Sequence, residues 1–259
     1  MLLALSCANS PKKADSPKSL VIYYSQTGNT KAVAEAIQAK TGADIESIVV
    51  VDAYDGDYDS TIQRCLKEMN DGVFPQIQPL TSNLAEYDIV YIGYPVWFGT
   101  YAPPVETLLN TVDLKGKKIV PFCTFGSGGL DSSSKAIAAK LTESEVLPGY
   151  GVRAARIGAI DAEIDQFLKA GGFIEGEAVA VAAYPAAVPV TEEQAAIFDA
   201  AVAGYPMIQA AAVEVAERQH FLGGKEYLFT ANDTRSGAAI KVNVLVEEGK
   251  EPVFTQVYR

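Results

Sequence analysis

The sequence predicts an α/β protein, a doubly wound parallel sheet of five strands followed by a smaller α+β domain. Three observations predict it. Over residues 19–176, five apolar, strand-like runs alternate with five helical patterns, the rhythm of consecutive β–α units that build a parallel sheet with helices on both faces. Those runs are almost continuously apolar, as strands buried on both faces must be. From residue 191 the rhythm stops, and one helical pattern gives way to apolar residues at every second position.

The elements follow in order. Strands are expected at 20–24, 45–51, 89–94, 118–123 and 152–157, and helices at 31–40, 61–70, 103–112, 133–141 and 162–170. Residues 177–190, rich in Ala, Val and Pro, read as a linker, because proline breaks any helical pattern there. Thr191-Glu192-Glu193-Gln194 is a capping-box start, followed by Ile197, Phe198, Ala201 and Val202 on one helical face. Ile240, Val242, Val244 and Val246 then alternate with Lys241, Asn243 and Glu247, with turns at Gly223-Gly224 and Glu248-Gly249-Lys250. The expected division is a leader and tether at 1–18, a first domain at 19–176, the linker at 177–190 and a second domain at 191–259.

Composition narrows the function. Charged residues make up 20% of the chain and hydrophobic residues 49%, a balance typical of a folded domain. A net charge of −11 excludes nucleic acid as a natural partner, since its phosphates would be repelled. The same charge suits docking on basic partners, or serves solubility alone. With one histidine, His220, and three cysteines in no C-x-x-C spacing, an ordinary zinc site is not expected, nor a Ser–His or Cys–His nucleophile in the first half of the chain. Cys65 and Cys123 read as small buried residues.

Cys7 is different. Met1-Leu2-Leu3-Ala4-Leu5-Ser6-Cys7 resembles the tail of a bacterial lipoprotein signal whose true start lies upstream. The expectation is lipidation at Cys7, a polar, proline-containing tether after it, and a place in the cell envelope facing the periplasm, with a cytoplasmic location as the alternative. No apolar run is long enough to span a bilayer as a helix.

Parallel sheets bind ligands beyond the carboxyl ends of their strands, and three segments at those ends carry unusual residues. Ser25-Gln26-Thr27-Gly28-Asn29-Thr30 follows the first strand and leads into a helix. Hydroxyls, an amide and a helix N-terminus around one glycine suit a phosphate ester. Without a Gly-Lys-Ser/Thr ending it is not a triphosphate loop, so a monoester held by neutral donors is expected. Gly93-Tyr94-Pro95-Val96-Trp97-Phe98-Gly99-Thr100-Tyr101 follows the third strand and holds the chain's only tryptophan. Thr124-Phe125-Gly126-Ser127-Gly128-Gly129 follows the fourth and is a glycine-rich backbone surface. A phosphate cradle, an aromatic platform and a bare backbone on one edge describe a site for a phosphorylated flat ring.

These three motifs resemble those of the flavodoxins, over residues 19–176. The resemblance implies the strand order 2-1-3-4-5 and FMN as cofactor. By likeness, Ser25, Gln26, Thr27, Gly28, Asn29 and Thr30 would hold the ribityl phosphate. Tyr94, Pro95, Val96, Trp97, Phe98 and Gly99 would flank the isoalloxazine, with Trp97 packed on one face. Thr124, Phe125, Gly126, Ser127, Gly128 and Gly129 would present backbone groups to the ring edge. Negative protein charge and a desolvated site would disfavour the anionic reduced ring and lower its potential. The chain departs from the family at Gly128-Gly129-Leu130, where electron-transfer flavodoxins usually carry a tyrosine over the outer face of the ring.

The leading expectation is therefore an FMN-binding electron-transfer protein that serves a redox partner protein. The alternative is an NAD(P)H- or quinone-linked FMN reductase that admits a small acceptor through the open face. A third reading is a cofactor-free binding protein. The second domain resembles the cystatin-like fold, and Gln219-His220-Phe221-Leu222-Gly223 lies one substitution from the cystatin inhibitory loop. That makes protease inhibition the remaining possibility, with packing on the first domain or partner docking as the preferred role.

Overall fold

The computed structural model of the chain describes residues 17–258, so Cys7 and its tether lie outside the described residues. The first sheet is built around β1 (Ser19–Tyr23), whose Leu20, Val21 and Ile22 are fully buried. It pairs in parallel with β2 (Asp44–Ser47) on one side and β3 (Ile89–Trp97) on the other. Beyond β3 lies β5 (Lys118–Phe125), which pairs with β6 (Glu145–Val146) and β7 (Tyr150–Arg153). A two-residue strand, β4 (Thr100–Tyr101), folds back antiparallel on the end of β3.

Alternation sends the two faces of this sheet into separate cores. Val21, Tyr91 and Val120 meet Val33 and Ile37 of α1 (Asn29–Thr41) and Ile164 and Leu168 of α5 (Ile160–Ala170). Leu20, Ile22, Val90, Ile92 and Ile119 meet Val105 and Leu108 of α3 (Pro103–Thr111) and Ile137 of α4 (Leu130–Lys140). α2 (Tyr58–Asp71) lies beside α3. Both sheet faces are thus dry, which explains the near-continuous apolar strands.

Two strand expectations need correction. The fifth strand, expected at 152–157, is divided into β6 and β7 and ends at Arg153, with 3₁₀ turns following over Ala154–Ala159. Pro148 has no N–H to donate, and β6 pairs with 118–119 whereas β7 pairs with 122–125. At Gly149 a Cβ would lie 2.5 Å from the Pro121 carbonyl oxygen. The second strand stops at Ser47, after which Val50 bridges antiparallel to Ile77. With β4 set aside and β6 and β7 sharing one position, the parallel strands run in the expected order.

The second sheet is antiparallel, in the order β12 (Val253–Tyr258), β11 (Ala239–Val246), β10 (Lys225–Asp233), β9 (Ala210–Gln219), β8 (Val188–Pro189). α6 (Glu192–Val202) starts at the expected capping box, with Thr191 and Gln194 bonding reciprocally, and packs Phe198 on Phe229. Residues 177–190 are not a free linker. Gln166 holds both the N–H and the carbonyl of Val179, Arg218 donates to Ala182 O at 3.2 Å, and β8 joins β9. On the face of β11 opposite the core, Asn243 and Leu245 are also buried, Asn243 bonding Glu226 and Tyr184. Period two predicts a half-wet sheet; the returning chain covers the second side.

Candidate functional site

β1 ends at Tyr23 and the chain turns through Gly28, at φ +89°, into α1. Nothing lies within 4 Å of the position a Cβ would take there, so backbone conformation and not crowding selects glycine. Ser25 Oγ accepts from Gly28 N and Lys31 N, each at 3.2 Å. Asn29 donates to Thr27 Oγ1 at 3.3 Å. Among the described residues, the N–H groups of Gln26, Thr27, Asn29 and Thr30 have no hydrogen-bond partner. Four uncommitted donors at a helix N-terminus are an arrangement that suits an anion.

One of the six side chains points elsewhere, and a second is tied down at the cavity edge. Thr30 is buried and its hydroxyl stands 2.9 Å from that of Thr124, tying the first turn to the fourth parallel strand. Gln26, exposed at the edge of the cavity walled by Trp97, has its side-chain amide tied down, accepting from the Tyr24 hydroxyl and donating to the Tyr54 carbonyl.

The second segment is a strand extension, not a loop. β3 continues to Trp97 and turns through Phe98 and Gly99, at φ +50° and +80°, into β4. Two successive positive φ values suit the twist of a two-residue hairpin. For a phenylalanine that conformation is strained, and its ring is left 51% exposed. Trp97 is half-buried and meets Tyr24 and Tyr54 at 5.9 and 5.3 Å, both edge-on, so neither ring stacks flat on the indole. Burial keeps the Tyr24 and Tyr54 hydroxyls protonated far above the ordinary tyrosine range.

Pro95, Val96, Trp97 and Phe98 form one wall of a cavity of about 470 Å³, with Gln26 and Thr27 at one end and Gly56, Tyr58, Thr61 and Cys65 opposite. This wall of α2 was missed from the sequence, although Tyr54-Asp55-Gly56-Asp57-Tyr58 follows a strand and mixes aromatics with glycine as the other loops do. Burial raises the Cys65 thiol to about 11, leaving it unreactive near neutral pH.

Val96 and Phe98 also face a second cavity, of about 360 Å³, with Gly99, Gly126, Ser127, Gly128, Gly129, Ser132, Tyr205 and Val257. Ser132, in the first turn of α4 after Gly129, ties the two segments together by donating its hydroxyl to Gly99 O. Tyr94, Thr124 and Phe125, expected at the site, turn their side chains into the interior. Tyr94 is fully buried against Ser133, Thr124 pairs with Thr30, and Phe125 is a core residue. Alternation sends neighbouring side chains to opposite faces of the sheet, and both faces are covered at the ends of β3 and β5. His220 lies away from both cavities, on a cleft between the two sheets with Tyr150, Arg156 and Glu163. A larger cavity, about 560 Å³, is lined by Ile77, Pro79, Leu80, Leu84 and Val112 on another part of the surface and has no charged lining residue.

A family model described as Flavodoxin matches residues 18–157. Among solved structures, the chain is similar to a candidate flavoprotein from Bacteroides eggerthii DSM 20697, at 31% identity and a TM-score of 0.51, over 58% of this chain and 97% of that one. It is similar to a flavoprotein in complex with FMN from Lactobacillus acidophilus NCFM, at 25% identity and a TM-score of 0.51, over 60% and 100% of the two chains. No curated protein matches. The family match spans more than half of the sequence and all three site segments, and the chain belongs to the flavodoxin family.

Proposed function

We propose that this chain is an FMN-binding electron-transfer protein. The observation that carries the proposal is the set of four uncommitted N–H groups around Gly28, opening beside a cavity walled by Trp97. The donor set fits the group. A phosphate dianion takes those N–H groups and the exposed Thr27 hydroxyl, and the α1 dipole favours its charge. FMN, when bound, supplies the electron-transfer chemistry.

The chain's own residues bind and tune it. Trp97 offers its indole to the ring, a contact worth about 0.5–1.5 kcal/mol beyond the area buried. Tyr24 and Tyr54 fix the indole's orientation through their edges. The backbone of residues 126–129 faces the second cavity with no side chain but Ser127 in the way. The net charge of −11 opposes further negative charge on the reduced ring and lowers its potential.

That charge also suits a basic redox protein as partner, with encounter rates that fall as salt rises. Lipidation at Cys7 holds the protein on the cell envelope, facing the periplasm. The C-terminal domain, one helix against an antiparallel sheet, is read as cystatin-like in architecture, with docking and not protease inhibition as its role.

Purified chain reconstituted with FMN is expected to be yellow, and Thr27→Ala to weaken FMN by about ten- to a hundredfold, the loss of one hydrogen bond to a charged group, while leaving riboflavin unchanged. Equal losses for both flavins would remove the turn from the phosphate site. Reduction in two separate one-electron steps supports a carrier. Direct reduction of the bound flavin by NADPH would replace the carrier with a reductase.

A further inference from the structure

The third segment of the site is held from behind by the C-terminal domain. Val257 of β12 donates its N–H to Ser127 O at 2.6 Å. Arg153, the last residue of β7, donates Nε to Gly126 O at 2.9 Å and Nη1 to Phe254 O at 2.8 Å. Its guanidinium sits 3.4 Å from the Phe254 ring centroid and 5.5 Å from that of Tyr205. Tyr205 in turn packs on Phe254, with centroids 5.1 Å apart.

The fit leaves no room for a side chain at Gly128 and crowds one at Gly126. A Cβ on Gly126 would come within 3.2 Å of the Tyr205 hydroxyl, and one on Gly128 within 2.3 Å of Val257 O. Tyr205 and Val257 line the cavity of about 360 Å³ together with Val96, Phe98 and the glycines. Phe98 and Tyr205 are the two aromatic rings on that cavity. Phe98 is on an exposed turn, whereas Tyr205 is braced on two sides by Arg153 and Phe254.

The geometry points to a composite flavin site, in which the C-terminal domain supplies one wall of the ring pocket and Tyr205 is its aromatic contact. Arg153 and Phe254 are positioning residues that hold Tyr205 in place. This inference rests on the FMN reading above. A braced tyrosine adds apolar contact and removes water from the ring without an ordering cost at binding. Ligand on that wall also stabilises the junction between the two domains, because binding favours the docked state.

The test uses the full chain and three flavins: FMN, riboflavin and lumiflavin, which is the ring alone. Tyr205→Ala is expected to weaken all three by the same factor, about three- to tenfold, because the lost contact is to the ring. It is also expected to shift the long-wavelength absorption band of the bound flavin, and Tyr205→Phe to restore affinity. Gly128→Ala, which pushes β12 off the segment without touching Tyr205, is expected to weaken ring binding in the same pattern. If Tyr205→Ala and Gly128→Ala bind all three flavins with wild-type affinity and an unshifted band, the composite site is overturned while the FMN reading stands. Loss of FMN binding alone, with lumiflavin unaffected, also overturns it. Wild-type chain that takes up no flavin at all would overturn the FMN reading, and this inference with it.

Discussion

The Ser25–Thr30 turn and the Thr124–Gly129 segment are neighbours on one sheet edge, yet their glycines are there for opposite reasons. Gly28 has open space around it and a left-handed backbone; any other residue would fit sterically but strain the turn that aims the N–H groups. Gly126 and Gly128 have no positive φ and are hemmed in by Tyr205 and Val257. The first turn is a local device that needs only its own strand and helix. The other segment is completed by a domain more than 70 residues further along the chain. A glycine-rich loop beside a ligand site therefore need not owe its glycines to the ligand.

The sharpest way to break that contrast is alanine in each place. Gly128→Ala should destabilise the chain by about 1–3 kcal/mol through overpacking against Val257 O, a backbone atom that cannot rotate away. Denaturant unfolding measures it, and a loss below half a kilocalorie would mean the junction is soft. Gly28→Ala should cost only about 1–2 kcal/mol of backbone strain, while FMN weakens and lumiflavin does not. An equal loss for both ligands would show that the turn supports the ring pocket as well as the phosphate.

A smaller effect, in the turn after β10, tests the C-terminal sheet by itself. The Asp233 carboxylate accepts from the backbone N–H and hydroxyl of Ser236 and from Arg235 N. These bonds, the Ser236 N–H first, lower its pKa from 3.8 to about 2. A depressed carboxylate stabilises the fold above its unfolded pKa, and the contribution disappears as pH falls through the folded value. Melting temperature should therefore drop between pH 4 and 2 with a component that Asp233→Asn removes. An unchanged profile in the variant would show that this turn does not contribute to acid stability.

Much of the site could be read from the chain because its signals are local. The phosphate turn, the start of α1 and the capping box at Thr191 each depend on residues within one helical turn, so composition and spacing suffice. Tyr94, expected beside the ring, has a buried side chain because β3 runs further than its apolar core suggests; Thr124 and Phe125 were expected to offer backbone groups, which their buried side chains do not contradict. Gly56 and Tyr58 of the missing wall stood in a mixed aromatic and glycine loop that the strand rhythm alone did not flag.

By itself the sequence determined the parallel sheet, its two dry faces, the donor-rich turn and the presence of a second, antiparallel domain. Each of these is a periodicity or a short motif, and short-range sterics and burial enforce it wherever the rest of the chain lies. Only the tertiary structure decided that residues 177–190 are pinned and not free, that Thr30 turns inward, and that Tyr205 reaches the third segment. Those outcomes come from contacts between residues distant in sequence, where shape and desolvation choose among partners that no local pattern distinguishes.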